Sequence, residues 1–310
     1  MPKKGDSLNA FPPPPTPLYL NALSPLKAVW NNGVGIAYAG MDIYHPNNAI
    51  TSCVVADGVV SLTVGDEFVM AEGAFQFCTN LKTVRLPESL KKIGKGTFNG
   101  CEALVHVDIP SGVNEIGAGA FSFCLSLQTA TIPEGVINLP EAIFHGCKAL
   151  KSATLPPSLR RVRNWAFKGC LALTTINHDA LEGVTDFGEY VFRDCACLKA
   201  FKFPPSLKII RSGALYGCES LSKVELPPFV ETIKRNAFRY CCHPLLTIDL
   251  PETVTKVERS ALEGCRIRLP TSLSMFTNGG DIFGLLCGVE EVFISSRCDL
   301  GLLIPHISSL

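Results

Sequence analysis

One sentence of residues is written again and again along most of this chain, and that periodicity limits the fold more than any other feature. The pair Phe-x-x-Cys stands at Phe75/Cys78, Phe98/Cys101, Phe121/Cys124, Phe144/Cys147 and Phe167/Cys170, with the cysteines 23 residues apart. It continues at Phe192/Cys195 and Phe238/Cys241, with leucine in place of the ring at Leu215/Cys218 and Leu262/Cys265. The step is two residues longer between Phe167 and Phe192 and one longer between Phe238 and Leu262. A fixed period of this size marks a solenoid, because one short unit cannot bury its own apolar side and must stack on its neighbours. A chain of 310 residues would otherwise argue for about two globular domains. The repeat argues for one elongated body instead.

The residues between successive rings divide into two short apolar stretches. After each cysteine comes Leu-x-x-Val-x-Leu-Pro, as in Leu81/Val84/Leu86 and Leu104/Val107/Ile109, and the alternation over the last three apolar positions predicts a short strand. Proline at 87, 110, 133, 156, 204, 227, 251 and 270 ends it, having no N–H to offer a ladder. A second apolar pair follows, such as Leu90/Ile93, Val113/Ile116 and Val136/Leu139, and predicts another short strand on the opposite side. Glycine, as at Gly94 and Gly117, then turns the chain toward the next ring.

Ile-Gly-x-x-Ala-Phe-x-x-Cys-x-x-Leu-x-x-Val-x-Leu-Pro resembles the unit of the BspA-like leucine-rich repeat proteins, over about residues 57 to 276. What the resemblance implies is a right-handed curved leucine-rich-repeat solenoid, here of about ten coils of 23 residues, with a parallel β-sheet on its concave face. It also implies a role in binding other proteins or adhering to surfaces, in a family often secreted or displayed on cells. The expected organisation is a Pro-rich extended or disordered tail over 1–20, an N-terminal cap over 21–56, repeats over 57–294 and a C-terminal cap over 295–310. Within the cap, Leu20, Leu23, Leu26, Val29 and Trp30 recur at helical spacing, while Gly35–Ala39 and Ile50–Val55 read as strands. Between Cys170 and Phe192 two extra residues and a missing proline predict a small protruding loop around 177–183.

Charge and composition exclude several function classes. Lys+Arg and Asp+Glu are both 28, so no net field draws in nucleic acid or an anionic membrane. No apolar run is long enough for a spanning helix, so membrane insertion is not expected. Phe11-Pro-Pro-Pro-Pro-Thr-Pro17 stands where a signal peptide would need an apolar helix, and no Asn-x-Ser/Thr sequon occurs, which favours an intracellular location. Pro14-x-x-Pro17 lacks the flanking arginine of an SH3 ligand and reads as a stiff tail.

Fourteen cysteines would suggest a disulfide scaffold, yet nine of them share one repeat position. Equivalent side chains of stacked coils point in parallel about 4.8 Å apart, whereas a disulfide needs converging bonds and Cβ atoms about 3.5 to 4.5 Å apart. The column therefore reads as reduced, buried thiols acting as small hydrophobes. Cys53, Cys197, Cys242, Cys287 and Cys298 fall outside it.

No catalytic or nucleotide-binding signature is present: no G-x-S-x-G, H-E-x-x-H or G-x-x-x-x-G-K-[ST]. Gly94-Lys-Gly-Thr-Phe-Asn-Gly100 is glycine-rich, but Thr97 and Asn99 are ordinary repeat positions and the segment reads as the repeat's turn. Cys195-Ala-Cys197 and Cys241-Cys242 each contain one core-facing column cysteine, which argues against a metal site. His178-Asp179 has no nucleophile beside it and reads as polar loop. Ser308-Ser-Leu310 lacks the lysine of a peroxisomal address. No cofactor, metal or small-molecule substrate is expected.

What remains is the outward side of the inner sheet. One column there holds Thr83, His106, Thr129, Ser152, Thr175, Ala200, Lys223 and Thr247, and a second holds Arg85, Asp108, Thr131, Thr154, Asn177, Lys202, Glu225 and Asp249. Threonine suits a strand and keeps a pleated face soluble without any ligand. The functional expectation is a non-enzymatic scaffold that binds a protein partner through this concave face. Its candidate contacts are Arg85, His106, Asp108, Thr129, Thr131, Ser152, Thr154, Thr175, Asn177, Lys199, Lys202, Lys223 and Glu225. The alternatives are an accessory repeat module of a larger catalytic or signalling assembly, or a surface adhesion protein. Lys82, Arg85, Lys151, Lys199 and Lys202 make the near part of the face basic, and Glu225, Asp249, Glu290 and Glu291 are expected to make its far end acidic.

Overall fold

The computed structural model describes residues 72–269 in full, together with the backbone of short strands between 30 and 70 and at 291–293. It is a parallel β-solenoid of about eight coils of about 23 residues, rather than about ten. The Pro-rich tail, the helical-spacing segment before Trp30 and the C-terminal cap lie outside the described residues.

Each coil contributes two strands. The first sheet is built from Thr83–Arg85, His106–Asp108, Thr129–Thr131, Ser152–Thr154 and Thr175–Ile176, then Ala200–Lys202, Lys223–Glu225, Thr247–Asp249 and Arg266–Arg268. Its strands pair in parallel with equivalent repeat positions opposite each other, Val107 on Val84 and Ala153 on Ala130. In every three-residue strand but Lys223–Glu225 the middle residue is buried, and its neighbours are exposed or half-exposed, as the alternation predicts. The second sheet is made of two-residue strands such as Lys92–Ile93, Glu115–Ile116, Asn138–Leu139 and Arg161–Val162, again parallel and in register. The first-sheet ladder also reaches back through Ser61–Val64 to Asp42–Ile43, and Glu291–Phe293 extends it beyond Arg266–Arg268.

Proline marks the corner between the two sheets. The N–H of Leu90 donates to the Pro87 carbonyl, and the same turn recurs from Val113 to Pro110, Val136 to Pro133 and Leu159 to Pro156. In the lengthened coil that proline is missing, and here the expectation of a protruding loop is corrected. Residues His178–Leu181 form one turn of 3-10 helix with Ala180 and Leu181 buried. Val184 then donates to the Leu181 carbonyl, so Leu181 stands in for the proline and the two extra residues are absorbed in rebuilding the corner. The first-sheet ladder breaks here, between Thr175–Ile176 and Ala200–Lys202, as it also does after His106–Asp108 and after Lys223–Glu225.

The core is a column of rings. Phe75, Phe98, Phe121, Phe144, Phe167 and Phe192 stack with centroids 5.1 to 5.8 Å apart. The column skips a ring at Leu215, and the volume is restored from the first sheet. Phe201 and Phe203 occupy positions that hold valine and leucine in the first repeat, and their rings connect Phe192 to Phe238 through contacts of 4.8, 4.8 and 6.0 Å. Volume conservation of this kind keeps an interior close-packed.

Phe121 is fully buried between two stacked rings, whereas Thr129 points to solvent. Phe121→Ala is expected to destabilise by about 3 to 5 kcal/mol and Thr129→Ala by about 0.5 kcal/mol or less, measured by denaturant unfolding. Equal shifts for the two would overturn this assignment of inside and outside.

Candidate functional site

Three surfaces run the length of the solenoid: the solvent faces of the two sheets, and the turn ridge that carries Phe-x-x-Cys. The ridge holds the cysteine column. Every column cysteine from Cys78 to Cys265 is buried. Each thiol from Cys101 onward donates to the carbonyl at the ring position one coil back, which is Leu215 for Cys241 and a phenylalanine otherwise: Cys101 to Phe75 at 3.1 Å, Cys124 to Phe98 at 3.2 Å and Cys147 to Phe121 at 3.0 Å. The same pattern holds along the column to Cys265 on Phe238 at 3.4 Å. The Phe carbonyl already accepts the N–H of the cysteine in its own coil, so the thiol of the next coil uses its second lone pair. Burial pushes the thiols of Cys147, Cys170, Cys195 and Cys218 above their ordinary range, and for Cys124 the contact with Cys147 leads, followed by burial. These groups are held as thiols, the poorly nucleophilic form.

On the first sheet the structure brings the expected residues into two exposed or half-exposed columns, with His106 opposite Thr83, Asp108 opposite Arg85, Ser152 opposite Thr129 and Glu225 opposite Lys202. Among the described residues no ion pair crosses from coil to coil on this face between Thr83 and Thr175. His106 is tied to Asp108 within its own strand at 2.8 Å. The solvent face of the second sheet is different, being bridged from coil to coil by Lys92–Glu115, Arg163–Asp186–Arg211 and Lys208–Glu231. Exposed pairs of this kind contribute at most about 1 kcal/mol each.

Two expected contacts turn out to be otherwise engaged. The Asn177 amide exchanges two hydrogen bonds of 2.8 Å with the backbone of Leu155, replacing ladder bonds where its strand stops short. Lys202 reaches Glu182 of the 3-10 turn at 3.4 Å. Of the four acids expected at the far end, two are paired: Lys223 binds Glu225 at 2.7 Å and holds its carboxyl below the usual range, and Arg268 binds Asp249 at 2.8 Å. Glu290 and the side chain of Glu291 lie outside the described residues. His178, predicted on a polar loop, is half-buried with its ring edge-on to Phe201 at 5.6 Å, and burial lowers its pKa. Among the described residues no group of three His, Cys, Asp or Glu is placed to hold a metal ion.

The ridge was not anticipated as a surface. Each coil places two residues at positive φ, one two positions before the ring and one just before the cysteine. Glycine fills many of these sites, but Phe77, Phe123, Trp165, Tyr190 and Tyr240 adopt φ of 54 to 64°. Several tolerate it by lying over a glycine of the next coil: a Cβ on Gly100 would stand 2.5 Å from Phe77 Cδ1, and one on Gly146 2.7 Å from Phe123 Cδ1. Arg193 sits over the rings of Tyr190 and Tyr216 at 5.7 and 4.6 Å, a cation–π arrangement. In the first coils, where the row two positions before the ring is small, the ridge opens into a groove of about 380 Å³ floored by Gly73, Gly96 and Gly119, while Phe77 and Phe123 stand exposed in the other row. The signal for it was present in the sequence as glycine recurring two residues before Phe75, Phe98 and Phe121.

The model of the BspA type leucine rich repeat region matches residues 69–195 and 179–281, in six copies. The chain belongs to the BspA-type leucine-rich repeat family. Among solved structures, this member is similar to a leucine rich cell surface protein from Faecalibacterium prausnitzii, with 26% identity over 77% of this chain and 79% of that one and a TM-score of 0.42. It is also similar to a leucine-rich repeat protein from Bacteroides ovatus, with 24% identity over 76% and 75% and a TM-score of 0.37. For the leucine rich repeat protein of T. pallidum the identity is 26% over 54% of this chain and 83% of that one, with a TM-score of 0.36. No curated protein matches the chain.

Cys197 and Cys242 are exposed, unlike the buried column. A native alkylation time course read by mass spectrometry is expected to modify these two at least tenfold faster than Cys101, Cys124 and Cys147, since column thiols react only through opening of the coils. Comparable rates would remove the column from the core.

Proposed function

We propose that this leucine-rich repeat protein is a non-enzymatic scaffold that binds a protein partner through the solvent face of the first sheet. The observation that carries the reading is the contrast between the two sheets. The second is latched from coil to coil by ion pairs that occupy its charged groups. The first presents short hydroxyl side chains in register, with Lys151 and Lys199 at its margin. A flat array of Thr and Ser has little side-chain entropy to lose, and every hydroxyl can both donate and accept. Repeat proteins use such extended faces for macromolecules rather than for chemistry. Catalysis would require titratable groups converging in a pocket. The buried cysteines point at backbone carbonyls, and His178 lies edge-on to Phe201 with no nucleophile beside it.

The charge distribution adds a steering element, now confined to the near part of the face. Arg85, Lys151 and Lys199 form no ion pair among the described residues, whereas Glu225 and Asp249 do. A partner recovered by pull-down with the intact chain is expected to lose binding when Arg85, Lys151 and Lys199 are together reversed to Glu, more strongly at low salt, because such charges act mainly on association rate. Reversing Lys91, Lys92 and Arg161, of which Lys92 and Arg161 lie on second-sheet strands, is expected to have a much smaller effect. The opposite ranking in a surface plasmon resonance titration would refute the first-sheet face as the docking surface.

A further inference from the structure

The groove on the turn ridge has the chemistry of a binding site of its own. The position two residues before the ring is Gly73, Gly96, Gly119 and Ala142 in four successive coils, and Trp165 and Tyr190 in the next two. Small residues leave the groove open and large ones close it, so the chain itself decides where it ends. Its span, three coil steps, is about 14 Å.

The floor offers no edge for an added strand. The N–H groups of Gly73, Gly96 and Gly119 already donate to Lys95, Ala118 and Glu141 in the following coils at 2.8 to 2.9 Å. Selectivity therefore rests on side chains, and these are almost all polar. Glu72 and Glu141 supply acceptors, Lys95 supplies a donor, and Gln76 and Asn99 supply both. Asn99 lines the groove, and its Oδ1 is buried with no hydrogen-bond partner among the described residues. The only apolar side chains in the lining are the methyl groups of Ala118 and Ala142. A hydrophobic peptide would find no pocket here, and a polyanion would meet two carboxylates against one ammonium.

A ligand covered with hydroxyls meets each of these groups, because every hydroxyl is at once donor and acceptor. One coil beyond Ala142 stands Trp165, 39% exposed and held at φ 58°. Positive φ at this position recurs in every coil, and what sets Trp165 apart is its exposed indole at the end of the groove. An exposed indole presents a flat apolar surface of the kind against which the C–H face of a sugar ring packs. We propose that this groove binds a neutral oligosaccharide lying along the coil axis, with its hydroxyls on Glu72, Gln76, Lys95, Asn99 and Glu141 and its leading end toward Trp165. This site is separate from the first-sheet face, and the two can succeed or fail independently.

The test is calorimetric titration of the intact chain with three neutral hexasaccharides, cellohexaose, maltohexaose and chitohexaose, and with hexalysine as the cationic peptide alternative. At least one sugar is expected to bind with a Kd below about 1 mM. Gly96→Trp copies into the groove the residue that stands at 165. A Cβ at Gly96 meets only Asn99 Cβ at 3.8 Å, and its φ of 60° is one that Trp165 itself adopts, at 58°, in the equivalent position, so the variant is expected to keep its circular dichroism while losing sugar affinity at least tenfold. Should Gly96→Trp fail to fold, Asn99→Ala and Trp165→Ala replace it, each expected to weaken binding severalfold. The proposal is overturned if no hexasaccharide binds, if a folded Gly96→Trp binds as tightly as the parent, or if hexalysine alone binds in a Gly96-dependent way.

Discussion

The contact on which everything else in this molecule depends is the one between equivalent residues of successive coils. No single coil can bury its own phenylalanine, and Phe98 is fully buried only because Phe75 and Phe121 cover its two faces. The backbone obeys the same rule. The N–H of Phe98 donates to Ala120 and that of Phe121 to Ile143, so turn segments that would expose polar groups in an isolated hairpin are satisfied by the next coil. Stability is then a sum over neighbouring interfaces, and a defect in one coil is felt chiefly by the two beside it.

Cysteine finds a specific place in that scheme. The position under the turn is small, apolar and next to a carbonyl with one lone pair unused, and a thiol fits all three conditions while costing little to bury. A serine there would bring a more strongly hydrated hydroxyl into the core. The repeated cysteine is thus an inter-coil contact, and its parallel geometry separates it from a disulfide framework.

With the interior given over to repetition, individuality is confined to the surfaces, and each surface answers a different physical demand. The second sheet spends its charges on latching coils together. The first keeps small hydroxylated columns exposed to solvent. The ridge carries bulky residues in a conformation that glycine would adopt without cost, at Trp165, Tyr190 and Tyr240, and alternates them with an open groove. The first-sheet ladder is broken into shorter stretches, one break falling beside the His178–Leu181 turn, and where Thr175–Ile176 stops short the Asn177 amide continues its pairing with Leu155.

The sequence by itself determined the solenoid, its period, the alternation of Thr83, Val84 and Arg85 across the first sheet and the burial of the cysteine column. These follow from spacing alone, because identical units must stack in register to hide identical apolar sides. Only the tertiary structure decided what depends on distances between coils. Phe203 reaching Phe238 past the gap at Leu215 and Arg268 neutralising Asp249 each join residues about one coil or more apart in sequence, and Leu181 takes a corner proline's place through a turn to Val184 that needs its burial in the stack. The groove lies between these cases. Its glycines recur visibly at 73, 96 and 119, but a glycine in sequence signals only backbone freedom, and the space above it exists because three coils place the same missing side chain one above another.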